Sequence, residues 1–487
     1  MKKLFFTFFI LIAANSFSQE ILNDSLLKED FEILKTIVSE VSPNLNFKEK
    51  ESVNAYLNSK EQELDGQSMN VIEFFRFLMS LKAETKMDEH GSLSLSNEVI
   101  KDLLTDKPVL FPIPIVIMDN ALLVNHDNVQ IPYGSIIKEI NGMPIETILD
   151  DFLREKSTYA LRNLEQSFDV LYLIKFGPSQ SFEVKYSLPN SNLTESMDLN
   201  SIDVKTRETL YASNVYPINR EQLKNLINTA YFEDSNTYYI QLNSFNWKED
   251  IKNVYEAFDN EFENIFKTIK KQNPENLIID LRYNKGGNIM IPALFYSYMA
   301  LQDFNELVNI RVPDFDLPYK NHIEKIGGRS VNTQQVDEFI ANFQKPFTKN
   351  NDFYELNYID NVNHKPKKNN FKGKVYLLIG GRNYSAASYF TAIFKANKRG
   401  MIVGEEIGGS HHNITAGQVI EYVLPNTNII VTLPIAVFKF SPDIESGVPE
   451  PKIIPDVVLS EPLKYQYFLK KEDGDLQETI KLINDKN

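Results

Sequence analysis

Apolar residues recur at three- and four-residue spacing near the start of the chain, a pattern that predicts amphipathic helices. It is clear in "LLKEDFEILKTIVSEVSP", where Pro43 closes the first helix, and again in "MNVIEFFRFLMSLKAET". We therefore predict a small helical N-terminal domain over residues 19–105.

The pattern changes to short β-branched runs from about residue 110. "VLFPIPIVIMDNALLVNHD" and "SFEVKYSL" indicate strands, and "GSIIKEINGMPIETILDDFL" indicates a strand, a turn at Asn141 and Gly142, and a helix. These runs predict a small β-rich domain over residues 106–204.

Strands and helices alternate over residues 205–465. The predicted strands are "NTYYIQLNSF", "NLIIDLRYN", "KVYLLIG", "MIVGEE" and "IIVTLPIAVF", and the predicted helices cover residues 252–271, 290–302 and 385–398. Because apolar runs such as "LIID" and "YLLI" are typical of strands covered on both faces, the fold class is α/β. Residues 303–370 form a polar insertion that could be a lid, a substrate-contacting excursion or a surface loop. Residues 466–487 are predicted to form a C-terminal tail or helix.

The first residues, "MKKLFFTFFILIAANSFSQE", have two lysines, an apolar stretch and then small residues. This order is typical of a secretory signal peptide, and the stretch is shorter than the ~20 apolar residues of a membrane span. We predict a signal peptide over residues 1–18, export to the periplasm or the outside of the cell, and no stable membrane anchor.

Composition narrows the chemistry. A formal charge of -15 argues against a nucleic-acid partner, because phosphate binding needs clustered Lys and Arg. The chain has no Cys, which excludes disulfides, a thiol nucleophile and a Cys-ligated metal. No His-Glu-x-x-His spacing occurs, so we predict neither metal nor cofactor. Nucleophilic chemistry falls to Ser, Thr, Lys or a carboxylate.

Four stretches carry candidate catalytic groups: "MDEHGSLSL" with His90, "NLIIDLRYNKGGN" with Gly286 and Gly287, "GRNYSAAS" with Ser385, and "DIESGVPEPKIIPD" with Glu445. Each has an ordinary explanation by itself: a surface histidine, a turn, a serine that caps a helix, a surface carboxylate. Together they supply the nucleophile, base, orienting carboxylate and backbone donors that acyl transfer needs.

The order and spacing of these stretches resemble the C-terminal processing (tail-specific) serine peptidases, in particular their tricorn-like branch. The matching segments also include "YIQLNSF" and "IVGEEIGG", and the resemblance runs from about residue 30 to 460. It implies a clp-protease/crotonase-like α/β core that hydrolyses peptide bonds. "YGSIIKEINGMPIETILDDFL" resembles the carboxylate-binding core of a PDZ domain, which implies that polypeptide substrates bind there by their C-terminus.

The resemblance also implies roles. In the tail-specific branch the base is a lysine about 25 residues after the serine, but position 410 is Ser410 and no Lys lies between residues 398 and 439. The tricorn-like branch instead implies Ser385 as nucleophile, His90 as general base and acid, and Glu445 as orienting carboxylate. Its oxyanion hole would be formed by Gly286 or Gly287 together with the N–H of Ala386.

Several alternatives stay open. The tricorn-like branch has a hydroxyl residue directly before the histidine, whereas this chain has Glu89, so the coupling of the carboxylate to His90 is undetermined. Glu450 is a second candidate carboxylate, and His411 and His412 are alternative bases. His126, His322 and His364 are predicted to be surface residues.

The sequence thus predicts an exported serine peptidase that acts on unstructured or C-terminal segments of polypeptides. The alternative is a catalytically inactive protein that binds peptide tails with the same core. A weaker third hypothesis is esterase or crotonase-like chemistry. The sequence does not determine the oligomeric state.

Overall fold

The computed structural model describes residues 20–43, 47–82, 84–85, 90–105, 107–153, 157–213, 220–248, 251–305, 309–350, 353–357, 363–409, 413–439 and 453–485. The predicted signal peptide lies outside these ranges. No helix within them combines the length and the apolar character that a membrane crossing requires.

The N-terminal part is mainly helical. Its elements are β1 (Ile21–Asn23), α1 (Asp24–Val41), α2 (Phe47–Glu61), β2 (Ser68–Asn70), α3 (Val71–Leu81), β3 (Ser92–Ser94) and α4 (Asn97–Leu104). The first helix ends two residues before Pro43, as predicted, and Asn23 caps its start by accepting from the N–H of Leu26. A capping box between Asn70 and Glu73 begins α3.

A small antiparallel sheet follows, which we call the small sheet. Its elements are β4 (Ile115–Met118), β5 (Ala121–Val124), β6 (Ile136–Ile140), β7 (Met143–Pro144), α5 (Ile145–Phe152), α6 (Thr158–Phe176), β8 (Ser181–Ser187) and β9 (Thr194–Asn200). The strand order is β4-β5-β6-β8-β9, with β7 paired to β6. Asn141 and Gly142 both have positive φ, as the predicted Asn-Gly turn requires. The long helix α6, whose Phe168 packs on Phe111, was not predicted.

The chain then enters another sheet, which we call the parallel sheet. The elements from here to β21 are α7 (Val204–Ala212), α8 (Arg220–Lys224), β10 (Ile227–Phe232), β11 (Thr237–Leu242), α9 (Val254–Gln272), β12 (Asn276–Asp280), α10 (Ile291–Ser297), β13 (Phe304–Asn305), β14 (Asn309–Val312), β15 (Ile323–Ile326), β16 (Arg329–Ser330), α11 (Thr333–Gln344), β17 (Thr348–Asn350), β18 (Phe353–Asn357), β19 (Asn363–His364), β20 (Lys374–Ile379), α12 (Ala386–Ala396) and β21 (Met401–Gly404). The strand order of the parallel sheet is β10-β11-β12-β20-β21. Strands β11, β12, β20 and β21 run parallel and β10 is antiparallel to β11, so the predicted α/β fold class is confirmed.

The parallel strands bring the candidate residues to one edge. The buried strand β12 leads into the loop that carries Gly286 and Gly287, and β20 leads into the turn that carries Ser385. Because β12 and β20 are adjacent and parallel, both loops leave the sheet at the same end.

One predicted strand belongs to a different sheet. The stretch "IIVTLPIAVF" forms β23 (Ile430–Lys439), which pairs antiparallel with β22 (Asn413–Val423) and not with the parallel sheet. This large sheet has the order β16-β15-β22-β23-β14-β18-β17, with β3 also on β23. The predicted insertion at residues 303–370 therefore supplies strands to the large sheet, and its role as a lid, a substrate-contacting excursion or a surface loop stays a prediction. Its strands are short and polar, which hid them from the apolar pattern.

The last helices cover one face of the parallel sheet. They are α13 (Glu461–Lys470) and α14 (Gly474–Asn484). Ile483 of α14 packs against Ile278 of β12 and Tyr376 of β20.

Candidate active site

Ser385 occupies the junction between β20 and α12 in a strained conformation. Its backbone angles are φ 54° and ψ -125°, a region that residues with a Cβ rarely adopt. Although Ser385 stands at the N-cap position of α12, its side chain makes no capping hydrogen bond. The simpler interpretation of this serine as a helix cap is therefore wrong. Its strained backbone must instead be held by the packing of the surrounding residues.

Gly286 packs directly against this serine. Its φ is +97°, and a Cβ placed on it would lie 2.7 Å from Ser385 Cβ and 2.8 Å from the N of Ala386. Gly287 has φ +137°, and a Cβ there would lie 2.5 Å from the carbonyl carbon of Phe245. Gly286 can thus lie against Ser385, and Gly287 against the backbone of Phe245 and Asn246, only because neither position has a side chain.

The backbone donors around Ser385 differ in their use. The N–H of Gly286 donates to Asn284 Oδ1 at 2.8 Å, so it is already engaged. Within the described residues, the N–H groups of Gly287 and Ala386 have no acceptor. The sequence left open whether Gly286 or Gly287 is the candidate oxyanion donor. The N–H group without an acceptor favours Gly287, whereas Gly286 permits the close contact with Ser385.

We predict that Gly286→Ala lowers kcat for peptide cleavage by about 100-fold or more, because the clash with Ser385 displaces the backbone donors beside it. The measurement is steady-state kinetics on an unstructured peptide. Gly66→Ala is the matched control, since Gly66 also has positive φ but a Cβ on it would meet nothing within 4 Å. Full activity in Gly286→Ala would show that the contact is unimportant.

His90 lies beside Tyr384, the residue that directly precedes Ser385. Hydrogen bonds join its Nδ1 to the hydroxyl of Tyr384 and, at 3.4 Å, to Oγ1 of Thr415. The rings of His90 and Tyr384 have their centroids 4.4 Å apart. Among the described residues, the hydrogen bonds of His90 do not include one to Ser385 Oγ.

The large sheet holds His90 in this place. Strand β3, which starts two residues after His90, pairs with β23, and Thr415 is a buried residue of the adjacent β22. Tyr384 and Thr415 were missed by sequence reasoning, which looked for a hydroxyl directly before the histidine. A signal was present for Tyr384, since it directly precedes the serine.

Residues 236–459 match the family model of peptidase family S41. The match includes Gly286, Gly287 and Ser385. The chain carries a peptidase family S41 domain. It is a serine-type peptidase, as the motifs predicted.

Two solved structures of CPAF show the same fold over nearly the whole chain. Mature CPAF complexed with lactacystin has a TM-score of 0.63 at 15% identity, covering 95% of this chain and 99% of that one. A serine-to-alanine mutant of CPAF has a TM-score of 0.66 at 15% identity, covering 95% and 97%. The photosystem II D1 C-terminal processing protease has a TM-score of 0.40 at 13% identity, covering 90% and 94%. No curated protein matches the chain by sequence.

Several predicted residues lie outside the described part of the chain. They are Glu445, Glu450, Glu89, His411 and His412. Their proposed roles therefore stay predictions.

The prediction of a surface position is wrong for His126, which is only 2% exposed. Its Nδ1 accepts from the N–H of Asn128 at 2.9 Å, its Nε2 lies 3.0 Å from Ser213 Oγ, and burial lowers its pKa. His322 and His364 are half-buried. The residues around His126 in the sequence are polar, so the local pattern did not indicate burial. The ring can be buried because both of its nitrogens have hydrogen-bond partners, the N–H of Asn128 and Oγ of Ser213.

A buried ion-pair cluster connects the S41 domain to the small sheet. Arg162 of α6 donates to both carboxylate oxygens of Glu405, at 2.6 and 3.0 Å, and also contacts Glu165. Lys464 of α13 donates to the same carboxylate at 3.1 Å. Burial alone would raise the pKa of Glu405, but the charges of Arg162 and Lys464 lower it to about 2.

We predict that Glu405→Gln lowers the free energy of unfolding at pH 7 by about 3 kcal/mol, the equivalent of this pKa shift. Because the folded-state pKa is depressed, the stabilisation is present above the unfolded value near 4.5 and is lost as pH falls toward 2. Denaturation at several pH values should therefore show the difference from wild type shrinking below pH 4.5.

The control for this prediction is Glu139→Gln, because Glu139 pairs with Lys185 on the surface of the small sheet. An exposed pair contributes less than about 1 kcal/mol, so this variant should stay close to wild type. A difference between wild type and Glu405→Gln that does not change with pH would contradict the assignment.

Proposed function

We propose that this serine-type peptidase is exported and uses Ser385, His90 and Glu445 to cleave peptide bonds in unstructured or C-terminal segments of polypeptides. The observation that carries the proposal is the strained backbone of Ser385, held against Gly286 with His90 packed on the adjacent Tyr384. Such strain persists only where the surroundings impose it, and it concentrates at active sites.

In the proposed mechanism, Ser385 Oγ attacks the carbonyl carbon while Nε2 of His90 takes the hydroxyl proton. When Nδ1–H donates to one of these hydroxyl oxygens, Nε2 carries the lone pair and can act as the base. The N–H groups of Gly287 and Ala386 stabilise the negative charge on the carbonyl oxygen. His90 then gives its proton to the leaving amine, and a water molecule repeats the sequence on the acyl-enzyme to release the acid.

We propose that peptide binding brings His90 into hydrogen-bonding contact with Ser385. Catalytic hydrogen bonds are often long in the free enzyme and tighten only in the substrate complex. The contact between His90 and Tyr384 supports this, because it places the imidazole next to the turn that carries the nucleophile.

Glu445 stays the proposed orienting carboxylate. The hydroxyls of Tyr384 and Thr415 form hydrogen bonds with Nδ1 of His90, the nitrogen with which an orienting group must interact. We propose that Glu445 acts on His90 through one of these hydroxyls, which would replace the hydroxyl residue missing at Glu89. This route keeps the imidazole in the tautomer that leaves Nε2 able to accept a proton.

We propose that the small sheet binds the C-terminal tail of the substrate. The sheet edge and the Asn141–Gly142 turn support this, since peptide-binding modules of the PDZ kind add an extended peptide at a sheet edge. Main-chain hydrogen bonds would supply the affinity, and the terminal carboxylate would supply the specificity.

The test uses one unstructured peptide in two forms, with a free C-terminal carboxylate and with an amidated C-terminus. Mass spectrometry follows cleavage, and fluorescence anisotropy with the Ser385→Ala variant follows binding. We expect cleavage of both forms, with a lower KM for the free carboxylate. Binding of the free form by wild type without any product would instead identify an inactive tail-binding protein.

Export has its own test in the organism that makes the protein. N-terminal sequencing of the mature chain should show that it begins at Gln19. A mature chain in the cytoplasm that begins at Met1 would contradict the prediction.

A further inference from the structure

Tyr384 packs against two other rings, the imidazole of His90 and the phenol ring of Tyr159. The ring centroids of His90 and Tyr384 lie 4.4 Å apart, and those of Tyr159 and Tyr384 lie 4.9 Å apart. The hydroxyl of Tyr384 also forms a hydrogen bond with Nδ1 of His90. Tyr159 belongs to α6, the helix that packs on the small sheet. A residue from outside the S41 domain therefore contacts the tyrosine that holds the proposed base.

The first turn of α6 packs against the two loops that follow β20 and β21. Oγ1 of Thr158 donates to the carbonyl oxygen of Glu406 at 3.0 Å. A Cβ placed on Gly408 would lie 2.7 Å from Cδ2 of Tyr159. A Cβ placed on Gly381 would lie 2.6 Å from the carbonyl oxygen of Thr158. The two glycines permit this close approach, so contacts with both loops fix the position of the turn that carries Tyr159.

The orientation of the Tyr384 ring decides where its hydroxyl lies. For Nε2 of His90 to accept the serine proton, Nδ1 must carry the hydrogen and donate it to an acceptor. A hydrogen bond weakens steeply when its distance and angle depart from the optimum, so the hydroxyl oxygen must stay within reach of Nδ1–H. Tyr384 is buried, and the ring of Tyr159 is one of the surfaces against which it packs. The contact between the two tyrosines thus bears on proton transfer at His90.

We propose that Tyr159 is a positioning residue for the reaction, which holds the Tyr384 ring in the orientation where the Tyr384 hydroxyl accepts from Nδ1–H of His90. Its effect passes through Tyr384 and not through contact with the peptide. This inference rests on the proposed function, because it takes His90 as the base for Ser385. We expect an effect on kcat of about tenfold, the scale that the loss of one aromatic pair produces.

The experiment is a double-mutant cycle on the full chain between Tyr159→Leu and Tyr384→Phe. Steady-state kinetics on one unstructured peptide give kcat and KM for each variant. Tyr384→Phe keeps the ring that Tyr159 contacts and removes only the hydroxyl. If Tyr159 acts through that hydroxyl, the losses in the two single variants are not additive in the double variant.

Three further variants separate positioning from a general loss of structure. Tyr159→Phe keeps the ring contact, and Tyr159→Met repeats the removal of the ring with another apolar side chain. Tyr172→Leu is the matched control, because Tyr172 lies on the same helix but packs on Phe111 and Phe182 in the core of the small sheet. Circular dichroism sets an assay temperature at which the variants are folded.

We expect Tyr159→Leu and Tyr159→Met to lower kcat about tenfold with KM within about threefold of wild type. Tyr159→Phe and Tyr172→Leu should keep kcat within about threefold of wild type. In the Tyr384→Phe background, Tyr159→Leu should lower kcat by less than about twofold.

Three results would overturn the inference: unchanged kcat in Tyr159→Leu, an equal loss in Tyr172→Leu, or a loss that recurs in full in the Tyr384→Phe background. With any of them, cleavage by wild type that depends on Ser385 would still support the proposed function. Absence of such cleavage in wild type would overturn both.

Discussion

Ser385→Ala is expected to lower kcat/KM for peptide cleavage by at least about 10⁴-fold, because alanine lacks the hydroxyl that attacks the carbonyl carbon. Peptide binding should persist. Since alanine also has a Cβ, the strain at φ 54° is unchanged and the thermal stability should change little. The measurement is cleavage of an unstructured peptide, with anisotropy to confirm that the variant still binds it.

Ser388→Ala is the matched control for this variant. Ser388 lies one turn further along α12, is fully buried, and its Oγ has no hydrogen-bond partner in the described part of the chain. It should cleave within about threefold of wild type. Ser385→Gly adds an independent check, since glycine relieves the strained backbone and should raise stability by about 1 kcal/mol while activity is lost. Cleavage by Ser385→Ala at the wild-type rate would contradict the assignment.

His90→Gln is expected to lower kcat by about 10³- to 10⁴-fold, because the serine hydroxyl loses the group that takes its proton. Glutamine keeps a polar side chain beside Tyr384 and Thr415, so the fold should persist. The measurement is kcat on the same peptide, with circular dichroism to confirm folding.

The controls for His90→Gln are variants of His411 and His412, the two alternative candidates for the general base. His411→Gln and His412→Gln should each keep cleavage within about threefold of wild type, since the described imidazole that contacts Tyr384 belongs to His90. Loss of activity in either of them, with full activity in His90→Gln, would reassign the base.

The sequence predicted those parts of the fold that depend on long apolar runs. "LIID" and "YLLI" became the adjacent strands β12 and β20 because both faces are buried, and the helix predicted from residue 385 begins at Ala386. Sequence reasoning found Ser385, the two glycines and His90 because each is of a residue type that acyl transfer requires. The glycines lie close to Ser385 because β12 and β20 are adjacent and parallel, whereas His90 is held by the pairing of β3 with β23 in the large sheet.

The sequence could not predict features that depend on contacts between distant segments. Strand β23 is as apolar as a strand of the parallel sheet, but its partner is the hairpin strand β22, and local pattern cannot choose between them. Thr415 reaches His90 only because β22 and β3 both lie beside β23. The engagement of the Gly286 N–H by Asn284 likewise depends on side-chain geometry and not on residue type.

The central claim is that Ser385 is a nucleophile activated by His90, and covalent labelling tests it most directly. A fluorophosphonate probe transfers its phosphonyl group to an activated serine oxygen and releases fluoride. Peptide mapping of the labelled full chain should find the adduct on Ser385, formed much more slowly in His90→Gln. An adduct on another residue, or equally fast labelling of Ser385 in His90→Gln, would contradict the claim.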